Sequence, residues 1–182
     1  MRYFVGFLIF VGLCIFGFTL FHHSGPPKTV PQPIYLPNYA STETVTKFVI
    51  DGPVVYNGTH REIDITVGQN QNSIAIVEGY QGSVLSSNTY PNNQAAYNEF
   101  LHALQIAGFT KSQKIKGSDI GACATGERYY LEVIGSFGNN IQNLWNSSCN
   151  EGTAAGTIDS IQNLFENQIP NYDAETSGVG IQ

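Results

Sequence analysis

Charged residues are scarce in this 182-residue chain: Asp, Glu, Lys and Arg make up 12% of it, 14 acids against 8 bases, for a formal charge of −6. An acidic domain with few, scattered cations lacks the electrostatic footprint that nucleic acid requires, so no nucleic-acid partner is expected. Cysteine is scarcer still, with three in all, and no CxxC spacing supports a thioredoxin-like redox role. Neither the Walker nor the dinucleotide glycine pattern occurs. The glycine-rich stretch Gly121–Gly126 leads into a strand rather than a helix, which argues against phosphate cradling. No cofactor is expected.

Constellations for catalysis are equally thin. A serine or cysteine nucleophile needs a base and a group to orient it. Ser147 and Ser148 precede Cys149, but His102 falls off the apolar stripe of its helix and reads as solvated. Glu127 and Glu132 point to opposite faces of one strand by parity, so they do not form the carboxylate pair of a glycosidase. A zinc site on Cys123 and Cys149 would need two further ligands, and His60 and His102 are distant in sequence. His22 and His23 read as interfacial polar residues. No catalytic residue and no metal ligand is assigned.

The chain does carry one long apolar run. From Tyr3 to Phe21 there are 19 residues without a charge. At 1.5 Å per residue a helix of that length spans about 28 Å, close to the hydrocarbon thickness of a bilayer. The competing reading is a cleaved signal peptide, but the run exits through Phe21-His22-His23-Ser24-Gly25-Pro26-Pro27, which offers no small-residue cleavage site. Residues 1–23 are therefore expected to be an uncleaved anchor contacting the membrane through residues 3–21. Arg2 ahead of the run, against Lys28 alone behind it, favours a cytoplasmic N-terminus and an extracytoplasmic domain.

Residues 24–43 are proline-rich and are expected to be an extended spacer. The domain is placed at 44–170 and a disordered polar tail at 171–182. A first strand fits Lys47 to Tyr56, interrupted at Gly52-Pro53 and therefore either an edge strand or a broken one. Ile63, Ile65 and Val67 alternate with Glu62, Asp64 and Thr66, giving a half-buried strand. Ser73–Glu78 and Ser83–Tyr90 continue an antiparallel meander. Tyr97, Phe100, Leu101 and Leu104 form a helical stripe, with Asn92 or Asn93 as N-cap and Gly108 as C-cap. Phe109–Ile115 is expected to be a strand bearing Lys111 and Lys114 beside Lys116. Glu127–Gly135 and Ile141–Ser148 make a hairpin, and Thr157–Gln168 a second helix ending at Pro170. The predicted class is α+β: an antiparallel sheet with two amphipathic helices on one face, preceded by one transmembrane helix.

If the 137–138 turn sets the hairpin register, paired residues sum to about 275. Cys123 and Cys149 then fall near its open end. A disulfide is expected there, with free buried thiols or a metal site as alternatives; it would imply an oxidising compartment, in agreement with export.

Taken together, the anchor, the proline spacer, "YPNNQAAYNEFLHALQIAGF", "GACATGERYYLEVI" and "LWNSSC" before "GTIDSIQNLFENQIPNY" resemble small membrane-anchored extracytoplasmic proteins of ultrasmall candidate-phylum bacteria. The resemblance covers about 120 residues and implies a bacterial exported domain; it transfers no functional residue. The functional expectation is a surface module that binds an envelope or surface protein, with Tyr130 and Trp145 as candidate ligand contacts. An envelope hydrolase and a structural subunit of a membrane assembly are the alternatives.

Overall fold

The computed structural model describes residues 34–115 and 118–181. The expected membrane helix, residues 24–33 of the spacer and Lys116 lie outside them. Among the described residues no helix is long and apolar enough to cross a membrane.

Six strands form one antiparallel sheet in the order β4-β3-β2-β1-β5-β6. They are β1 (Val45–Asp51), β2 (Arg61–Val67), β3 (Gln71–Glu78), β4 (Ser83–Pro91), β5 (Arg128–Ile134) and β6 (Asn140–Ser147). The helices are α1 (Gln94–Ala107), α2 (Ile158–Glu166) and the short α3 (Tyr172–Glu175). Strands β1 to β4 meander outward; α1 then carries the chain back across the sheet so that β5 pairs with the free side of β1.

Strand parity decides which side is core. Phe48 and Ile50 of β1, Ile63 and Ile65 of β2, Ile74 and Ile76 of β3, and Leu131 and Val133 of β5 share a face. Against it pack Tyr97, Phe100, Leu101 and Leu104 of α1, and Ile161 and Phe165 of α2. Phe165 is the hub, with its ring centroid 5.4 Å from Phe48, 5.1 Å from Phe100 and 5.6 Å from Phe109. Asn93 caps α1 by accepting from the Ala96 amide at 3.0 Å. Gly108 ends α1 in the left-handed region (φ 84°), where a Cβ would press on Gly156 and the Lys111 side chain. The two helices on one face and the hairpin register are as the sequence predicts: Arg128 pairs with Ser147 and Tyr130 with Trp145.

Four expectations are corrected. β1 lies inside the sheet, not at an edge; it does break off at Asp51, and Pro53, two residues further on, removes no ladder donor. Phe109–Ile115 is not a strand. Phe109 is buried in the core, and beyond it only Ser112 bridges to Ala154. The domain begins before residue 44, because Leu36, in a 3₁₀ turn at Leu36–Tyr39, is fully buried and its amide donates to Gln105 Oε1 at 2.9 Å. The tail is not disordered either: α3 and the residues after it pack on the domain, with Tyr172, Val179 and Ile181 against the core. Glu175 accepts from Asn88 Nδ2 and the Tyr90 hydroxyl.

Candidate functional site

The sheet face turned away from the helices is where the polar groups collect. By register, Arg128, Asp51 and Glu62 lie side by side across β5, β1 and β2, and the next row holds Trp145, Tyr130, Val49 and Asp64. Lys47 lies one step further along β1, diagonal to Asp64.

Asp51 is buried at 6% exposure and anchors one cluster. Its Oδ2 lies 2.6 Å from Arg128 Nη2 and its Oδ1 2.9 Å from His60 Nε2. The other His60 nitrogen, Nδ1, lies 3.2 Å from the Pro53 carbonyl, which can only accept. Nδ1 is therefore the donor to that carbonyl, and Nε2 faces the buried Asp51 Oδ1. Burial pushes the Asp51 carboxyl up, against the lowering effects of Arg128 and His60. Tyr80 stacks on the imidazole at 4.2 Å between centroids. With both nitrogens and a face engaged, His60 is a structural histidine, and no serine or cysteine contacts it among the described residues. His102 is exposed on α1, with Tyr35 edge-on at 6.4 Å.

The second cluster is Lys47, Asp64 and Glu62. Lys47 Nζ lies 2.7 Å from Asp64 Oδ2, and the side chains are only 24% and 19% exposed. Burial, with Asp64 and Asp51 close by, pushes the Glu62 carboxyl up to about 8. Strand parity puts Glu62 and Asp64 on the same face of β2, and Asp64 Oδ1 is buried with no hydrogen-bond partner.

The sequence-selected residues fall here as well. Tyr130 and Trp145 are direct cross-strand partners on this face. Tyr130 is half-buried, whereas Trp145 is only 9% exposed, so little of its ring is open to a ligand. Cys123 and Cys149 are joined in a disulfide with Cα atoms 5.6 Å apart. It fixes the 119–126 segment, where Ala124 O accepts from the Val54 amide at 2.8 Å.

The two sheet edges differ sharply. Along β6, residues 152–154 form a cover: Asn146 bridges to Gly152, and the Ala154 amide donates to Trp145 O at 2.9 Å. Gly152 permits this approach, since a Cβ there would collide with the Trp145 carbonyl. Along β4 there is no such cover among the described residues. All nine of its residues but Tyr90 are exposed, and SVLSSNTYP contains no charge. The Asn92 amide donates to Asn70 O, so alternation turns Tyr90, Asn88 and Ser86 toward β3. The backbone groups of Ser87 and Thr89, and the carbonyl of Pro91, consequently face outward. Strand order makes this an edge, and strand order is what the sequence could not supply.

A scan against protein families and searches of curated proteins and of solved structures find no match to this chain.

Proposed function

We propose that this protein is a non-enzymatic binding module, tethered to the membrane by residues 3–21 with its domain outside the cytoplasm, that captures an extended segment of an envelope or surface protein by strand addition at β4. The observation that carries the reading is the bare edge: nine residues, uncharged, with Val84 62% and Leu85 54% exposed. Natural sheets blunt such edges with charge, interior proline or a covering loop. This one has only a bulge opposite Ile76/Val77 and a proline at its far end. An added strand would gain main-chain hydrogen bonds at Ser87 and Thr89, with side-chain selection at Val84 and Leu85. The apolar anchor and the domain disulfide support the extracytoplasmic setting.

A photo-crosslinking residue placed at Ser87 in the full-length chain, in its native membrane, tests this. The expected result is a cross-link to one protein, lost when Thr89 is replaced by proline. Equal labelling from an exposed position on α1 such as Ile106 would refute strand addition. A cross-link joining two copies of the chain would make β4 a self-assembly edge instead.

A further inference from the structure

Lys47, Asp64 and Glu62 are arranged as reactants and not only as an ion pair. We propose that Lys47 and Asp64 condense spontaneously into an amide (isopeptide) bond that ties β1 to β2, with the Glu62 carboxyl as the proton relay. The amine and the acyl carbon it would attack are already neighbours, since Nζ touches Asp64 Oδ2 at 2.7 Å. The β1–β2 ladder, paired without a break from Thr46↔Val67 to Asp51↔Glu62, holds both side chains on one face. Holding reactants in this way replaces a bimolecular encounter by an internal one, with effective molarities that reach about 10⁵ M or more.

The charged groups on this face divide into two clusters. Asp51 is engaged by Arg128 and His60, which leaves Lys47 opposite Asp64 and Glu62. Those two carboxyls lie on one face of β2, and Asp64 Oδ1 is buried with no hydrogen-bond partner. The step begins with one proton passed from the ammonium to the carboxylate, which leaves a neutral amine beside a neutral acid. The amine nitrogen then attacks Asp64 Cγ, and a C–N bond forms. One Cγ–O bond breaks, and that oxygen leaves as water. Counted from the ion pair, the ammonium loses two protons and both end on the departing oxygen. Glu62 donates one of them and recovers it from nitrogen, so it is unchanged at the end. No oxidant, metal or cofactor enters the balance.

The test is the intact mass of the full-length chain, reduced, alkylated and unfolded, after the folded protein has stood near pH 8. The expected mass is lower than that of the sequence by one water, with a branched peptide linking Lys47 and Asp64 after digestion. Lys47→Arg should restore the full mass. Glu62→Gln, which keeps the shape but cannot relay a proton, should fold with the same circular dichroism and remain uncondensed. A wild-type chain at its full mass would overturn the proposal, as would a water loss that maps to a succinimide or to any other pair.

Discussion

Removing the disulfide by the double substitution Cys123→Ala, Cys149→Ala tests how the domain is held together. The bond closes a chain segment with a sequence separation of 26. In the chain-entropy account, a loop of that length removes about 12 cal/mol/K from the unfolded chain, or about 3.5 kcal/mol at 25 °C. For a domain of this size that corresponds to a fall in melting temperature of roughly 7–14 °C. Denaturant titration of the oxidised wild type and the double variant, at equal slope, measures the difference directly. The native state supplies a second readout, because the disulfide holds the 119–126 segment whose Ala124 carbonyl receives the Val54 amide. If exchange at the Val54 amide accelerates while the midpoint moves by less than about 1 kcal/mol, the disulfide is a local clasp and the unfolded-state reasoning is refuted.

Two further outcomes follow from the charged groups. Arg128→Ala leaves the buried Asp51 carboxylate without its closest cation and should cost about 3–5 kcal/mol in denaturant titration, whereas Arg128→Met together with Asp51→Asn should recover much of the loss. Glu175 is held below the usual carboxylate range by its bonds from Tyr90 and Asn88, so its contribution to docking α3 is present above pH 4.5 and lost as pH falls through the depressed value. Amide exchange of residues 172–179 should then rise on acidification in the wild type and be raised at every pH in Glu175→Gln, and a pH-independent wild type would contradict the assignment.

What was legible in the sequence was local. The alternation at Ile63, Ile65 and Val67, the stripe Tyr97–Leu104 and the register about the 137–138 turn each depend on neighbours within one element or one hairpin, and each is found in the structure. What was missed depends on long-range placement. Gly52-Pro53 suggested an edge or a break; the strand does end at Asp51, yet it pairs on both sides, with β2 and β5, and Val49 and Asp51 are buried on the face away from the helices. Tyr172, Val179 and Ile181 read as too sparse to order a tail, and they are sparse. They need to fill only the gap at one end of the sheet beside Ile50 and Ile63, where the tail lines a cavity of about 300 Å³. The candidate site shows the same division. Parity placed Glu62 and Asp64 on one face, but Lys47 joins them only once the β1–β2 register is known.

The two proposals meet in the order of the sheet. In the proposed tethered arrangement the chain would reach the sheet first at β1, and the proposed partner would dock three strands away at β4. Force between partner and tether would cross the β4–β3, β3–β2 and β2–β1 ladders in series. Hydrogen-bonded ladders yield one at a time, and β1–β2 is the joint whose failure would release the whole meander from the tethered strand. Lys47 and Asp64 span that joint, while the disulfide lies on the far side of β1, beyond β5, where such a load does not pass. Of the two ties, the proposed Lys47–Asp64 amide would lie on that load path, and the Cys123–Cys149 bond would not.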